Sequence, residues 1–157
     1  MRKRIVGQAR PQTEQKTHDW LDLESLAVVE VTSEHEEFPI ESALIPTAGP
    51  GWRAQTAGEQ VIRLLFDAPT TLSDIRLVFD EPDRSRTQEF VLRWTAQDSP
   101  EFREILRQQF TFSPDQTTEE VEDYRVNLIG LTALELCIVP DIGGGDARAS
   151  LAQLRLA

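Results

Sequence analysis

Residues Ala133–Ala157 read ALELCIVPDIGGGDARASLAQLRLA. Two alternating apolar segments, Ala133–Pro140 and Ser150–Ala157, flank a polar loop containing Gly143, Gly144 and Gly145. Successive side chains in a strand point to opposite faces, so each segment has the pattern of a strand with one buried face. Leu134, Leu136 and Ile138 share one parity. Leu151 and Leu154 do not, so the last segment requires a bulge or two buried faces.

The same alternation extends upstream. Leu26–Thr32 is a β-branched run and the first expected core strand. Gln60–Phe66 and Leu72–Phe79 read as a hairpin around Asp67-Ala68-Pro69-Thr70. Thr87–Trp94 alternates again, and Val121–Leu128 is separated from Ala133–Pro140 by Ile129-Gly130. The pattern predicts burial of Val29, Val31, Ile62, Leu64, Phe66, Ile75, Leu77 and Phe79, along with Leu134, Leu136, Ile138, Leu151 and Leu154. Glu41–Leu44 is a short segment before the loop IPTAGPG, whose Pro and Gly residues cannot continue a ladder. Residues 100–109 allow two readings. Ser99-Pro100 is a fair helix start, with Phe102, Ile105, Leu106 and Gln109 on one face, whereas Phe102, Glu104 and Leu106 alternate as a strand. Any helix is expected there or in the N-terminal lead-in.

Bulk properties narrow the possibilities. At 157 residues a single domain is the natural count, with residues 1–19 a polar arm and 20–157 the domain. Sixteen basic and 27 acidic residues give a formal charge of −11, which disfavours nucleic-acid binding. The short basic cluster Arg2-Lys3-Arg4 reads as a solvated terminus. No apolar run is long enough to span a membrane, and no apolar stretch follows the basic start, so a cytoplasmic location is expected. The single cysteine, Cys137, forms no intrachain disulfide and reads as a small core residue.

No catalytic constellation emerges. His18 and His35 sit in acidic, polar surroundings without metal-ligand spacing and read as surface residues. There is no nucleophile elbow, and the Gly143–Gly145 run lacks the lysine and following helix of a phosphate loop. Asp80-Glu81-Pro82-Asp83 reads as a solvated turn. Glu119-Glu120-Val121-Glu122-Asp123 reads as a charged strand entry that discourages edge pairing. The expectation is a non-enzyme without cofactor.

The C-terminal strand pair, GWRAQTAGEQVIRLLFDAPTTLSDIRLVF and EFVLRWTAQDSPEFREI together resemble the discoidin family, the coagulation factor type C domains with a galactose-binding-like fold. The likeness runs over roughly residues 26–157. It implies an all-β, discoidin-like jelly-roll β-sandwich, a strand at residues 100–109 and a non-catalytic binding module. Many members hold calcium with carboxylates in the loop before the Trp and on the last strand. Here that loop is Pro46–Gly51 and the last-strand position is Gln153, so no metal site is expected.

If consecutive strands run antiparallel, the long loops Ile45–Glu59, Asp80–Arg86, Thr111–Glu119 and Asp141–Ala149 share one end. They bring Trp52, Arg53, Arg84, Arg86, Asp141 and Arg148 there as candidate ligand-binding residues. An exposed Trp52 ring would stack on the apolar face of a sugar, with Arg and Asp pairing to hydroxyls; a buried Trp52 would instead plug the sandwich. The first functional expectation is carbohydrate recognition through these loops. The second is an intracellular protein-interaction module on the same fold.

Overall fold

The computed structural model describes residues 19–46 and 48–157. The predicted arm, with Arg2-Lys3-Arg4 and His18, lies outside them apart from Asp19. Two one-turn helices, α1 (Leu23–Leu26) and α2 (Glu41–Leu44), accompany eight strands. These are β1 (Ala27–Val31), β2 (Trp52–Arg53), β3 (Gln60–Asp80), β4 (Arg86–Ala96), β5 (Ser99–Phe112), β6 (Glu119–Val139), β7 (Ser150–Leu151) and β8 (Gln153–Leu156).

The expected hairpin of residues 60–66 with 72–79 does not form. Both segments belong to β3, which pairs with β6 along almost its whole length, from Gln60↔Ile138 to Asp80↔Glu119. The register slips between Leu65 and Asp74, opposite the Ile129-Gly130 step. Pro69 donates no hydrogen bond and Gly130 has φ +71°, so the ladder bends there instead of turning back. One half of the ribbon joins β1, β4 and β5 in the order β1-β3-β6-β4-β5, while β8 adds to β3 in the other half through Ile75↔Leu156 and Leu77↔Leu154. Strands that switch layers at a bulge are a standard way to turn the corner of a sandwich.

The two halves face each other across one core. Phe79 from one packs on Phe90 of β4 from the other, with ring centroids 5.2 Å apart. Ile62, Leu64, Phe66, Ile75, Leu77, Phe79, Leu134, Leu136, Ile138, Leu151 and Leu154 are buried as the alternation predicts, while Val29 and Val31 are half-buried at the β1 edge. The parity conflict resolves at Ala152. Leu151 pairs with Trp52 in β7, the chain breaks step, and Leu154 pairs with Leu77 in β8.

Residues 100–109 are strand, as the resemblance implied. β5 lies at the edge of its sheet, where Pro100 interrupts no ladder on its free side. Among the described residues the helices lie at Leu23–Leu26 and Glu41–Leu44 and not at residues 100–109, and they cover one side of the core with Leu23, Ala43 and Leu44; the expected helix in the N-terminal lead-in falls outside the described residues. Arg155 anchors the second turn, donating from Nη1 to the Ala43 carbonyl at 2.7 Å. Cys137 points away from the core, opposite in parity to Leu136 and Ile138, and is half-buried. Burial, then the nearby Glu59, pushes its thiol up to about 11, so it is a thiol at neutral pH and a poor nucleophile.

Candidate functional site: a polar cavity at the long-loop end

The loops expected to share an end do converge. Gly58 N–H donates to the Ala147 carbonyl and Glu81 N–H to that of Thr118, joining the loops in two pairs by backbone hydrogen bonds of 2.7–3.1 Å, and the Arg84–Asp146 contact at 3.0 Å links the pairs. At this end a cavity of about 250 Å³ is lined by His35, Phe38, Arg53, Asp80, Glu81 and Arg148, together with Ala54, Ala149 and Ser150.

Strand parity builds the cavity wall. In the β2–β7 pair, Trp52↔Leu151 point into the core and Arg53↔Ser150 point outward. Two residues before Ser150, Arg148 is again exposed while Ala149 is buried. Gly51 is what lets β2 lie so close. It has φ +122°, and a Cβ there would sit 2.7 Å from the Leu151 carbonyl oxygen. The opposite wall is the turn at His35–Phe38, tied on by His35 N–H to the Arg53 carbonyl (2.8 Å) and Arg53 N–H to the Phe38 carbonyl (3.1 Å).

Trp52 is 1 % exposed, so of the two readings the buried plug holds and Trp52 is not a ligand-stacking residue. Its indole has gone into the core because its strand neighbour Arg53 could not. Its Nε1–H donates to the Ser33 carbonyl at 3.0 Å, so the ring holds down the segment that carries His35 and Phe38. The ring at the cavity is the half-buried Phe38, with the Arg53 guanidinium 4.8 Å from its centroid and His35 edge-on at 5.5 Å.

The remaining candidates divide. Arg53 and Arg148 line the cavity and neither forms an ion pair, Arg148 acting on Asp146 only at a distance. Arg84 pairs with Asp146 at 3.0 Å in the neighbouring loop, and holds that carboxyl below its ordinary range. Arg86 is buried at 3 % exposure, which corrects its assignment to a ligand surface. Its Nε bonds Glu81 at 2.8 Å, its Nη1 the Pro140 carbonyl at 2.8 Å, and its guanidinium lies 4.8 Å from the Phe112 ring centroid. Asp141 is used within its own loop, accepting from Gly143 N–H at 3.0 Å.

His35, Phe38, Asp80 and Glu81 also line the cavity and were not among the residues the sequence brought out. His35 Nδ1 accepts from Glu37 N–H at 3.1 Å, so a neutral ring carries its proton on Nε2 as a free donor. Asp80 is the outward residue after buried Phe79 and enters no ion pair with Arg53 or Arg148. The signal was present in HEEFP, an aromatic and a histidine three apart in a turn leaving a core strand. The acidic run was also misread in part, because Glu120 is buried beside Gln88, whose Nε2 donates to it at 2.9 Å. Burial, with the neighbouring Glu122 second, pushes the Glu120 carboxyl up to about 8.

The cavity therefore offers guanidinium and imidazole donors, a carboxylate acceptor and an apolar ring surface. Among the described residues no group of three or more His, Cys, Asp or Glu side chains is arranged to hold a metal ion.

No family model and no curated protein matches the chain. Solved structures do. The family 32 carbohydrate-binding module of NanJ from Clostridium perfringens, in complex with galactose, superposes with a TM-score of 0.63 at 13% identity, covering 87% of this chain and 96% of that one. The CpGH89CBM32-5 module of the same organism, in complex with GalNAc-β-1,3-galactose, gives 0.64 at 16% identity over 88% and 99%. A pectin-binding carbohydrate-binding module gives 0.60 at 12% identity over 84% and 90%. Likeness at this level of identity speaks to architecture: the chain has the galactose-binding-like, discoidin-like jelly-roll fold.

Proposed function

We propose that this protein is a non-catalytic carbohydrate-recognition module whose sugar site is the cavity lined by His35, Phe38, Arg53, Asp80 and Arg148. The observation that carries the reading is that both arginines there form no ion pair in an acidic chain. Planar donors fixed by backbone pairing, one acceptor and a small apolar surface fit a sugar ring edge, which presents alternating hydroxyls and a C–H face. Burial of Trp52 shifts the expected mode from stacking to hydrogen bonding. The likeness to modules solved with galactose and with GalNAc-β-1,3-galactose supports the reading as analogy of fold.

A glycan array followed by calorimetric titration tests it. Arg148→Ala should weaken binding by roughly tenfold to a hundredfold, the worth of a charged hydrogen bond, and leave the melting temperature unchanged. Absence of binding to any glycan would refute it.

A second reading, a protein-interaction module, draws on a different place. A groove of about 350 Å³ beside edge strand β1 is floored by Leu23, Val29, Val31, Ile40 and Leu44 and flanked by Glu24, Glu34 and Glu41. Loss of a captured partner on Val29→Asp, with sugar binding intact, would favour it.

A further inference from the structure

We infer that the sugar bound in this cavity carries a carboxylate, making the ligand a uronic acid and not a neutral hexose. The inference rests on the carbohydrate reading above and narrows its ligand class.

The described residues include eleven arginines and no lysine. Seven of the eleven are ion-paired to Asp or Glu. Two of the other four are accounted for by the fold: Arg155 is buried against the Ala43 and Leu154 carbonyls, and Arg103 lies over the Trp94 ring at 4.4 Å. The last two are Arg53, whose guanidinium lies over the Phe38 ring at 4.8 Å, and Arg148, which acts on Asp146 only at a distance; both line the same cavity and neither is ion-paired. In a chain with eleven more acidic than basic residues, most of the described arginines are ion-paired. Two without an ion pair, converging on one cavity, mark a place where an anion from outside can be held.

The fork of a guanidinium matches a carboxylate in two parallel hydrogen bonds, which a hydroxyl cannot reproduce. The other cavity groups argue against a simple inorganic anion. Asp80 finds no hydrogen-bond donor on sulfate or a phosphate dianion, whereas it accepts from the hydroxyls of a sugar ring. Glu81 is already neutralised by Arg86 at 2.8 Å, so it adds little opposing charge. A uronate presents one carboxylate and several hydroxyls on one ring, which matches two guanidiniums and one carboxylate. The overall charge of −11 repels an anion at long range, so selectivity must come from contact and not from steering.

The test is a calorimetric panel of galacturonate, glucuronate and mannuronate oligosaccharides, each beside its carboxyl-reduced counterpart. At least one uronate should bind about tenfold tighter than its reduced form. Arg53→Ala and Arg148→Ala should each erase that preference, and Arg148→Lys should restore part of it. Both residues are exposed, so unchanged melting temperatures separate binding loss from unfolding. Equal binding of acid and reduced forms, or binding of neutral glycans alone, overturns the inference and leaves the carbohydrate reading standing. Failure of every acidic and neutral sugar to bind overturns both.

Discussion

The long-loop end holds two sets of charged residues a few positions apart in sequence, and they serve opposite purposes. The set around Arg86, Glu81, Gln88 and Glu120 is turned inward, where Arg86 and Glu120 are almost wholly buried and bonded to protein groups. The set around Arg53, Arg148, His35 and Asp80 is turned outward, and its two arginines form no ion pair. Residue type does not separate them; strand parity and satisfaction do. A buried charge must be paired within the fold or the fold pays in stability, whereas a surface charge left unpaired costs little and remains available.

Substitutions should break this contrast in a graded way. The largest effect belongs to Trp52, which the cavity depends on without exposing it. Trp52→Ala should cost about 3–5 kcal/mol in urea unfolding and also abolish sugar binding by freeing the Ser33–Phe38 segment. Arg86→Ala should come next, at about 3 kcal/mol, because Glu81 is then left without its cation. The double variant Arg86→Met with Glu81→Gln should recover much of that loss.

Glu120 sharpens the contrast through pH. Its carboxyl sits at about 8 in the fold against an ordinary value of 4.5. Between those values the folded chain holds a proton that the unfolded chain has released. This contribution is therefore whole below about 4.5 and declines as pH rises, until it is gone above about 8. Melting temperature should fall between pH 5 and pH 9, and Glu120→Gln should flatten that part of the curve. Smallest of all, Arg53→Ala and Arg148→Ala should change stability by less than about 0.5 kcal/mol while removing binding. A large loss of stability from either would mean that the cavity is a structural joint.

Much of this architecture is visible in the alternation of Ile62, Leu64 and Phe66, or of Leu134, Leu136 and Ile138, because period two is a local property. The merging of residues 60–66 with 72–79 is not local. Pro69 and Gly130 suit a chain reversal and a corner equally, and only the partner strand decides between them. The candidate site shows the same division. Antiparallel alternation put the long loops at one end and brought out Arg53 and Arg148, which line the cavity there. It could not tell that Arg86 turns inward toward Glu81, nor that Trp52 would enter the core and clamp the His35–Phe38 turn against β2.

The shared ribbon has a consequence for how this chain reaches its fold. Each layer borrows a half of β3 and a half of β6, so neither layer can assemble alone, and loss of one strips the edge of the other. The nearest paired residues of the ribbon, Asp80 and Glu119, bracket the β4–β5 hairpin, while its far end joins Gln60 to Ile138. Closing the shorter loop first and zipping through the corner is the entropically cheaper order. With so much pairing between distant residues, refolding is expected on the millisecond-to-second scale, in a single transition by both fluorescence and far-ultraviolet signals. Two separable phases with layer-specific protection from hydrogen exchange would show that the corner is a hinge.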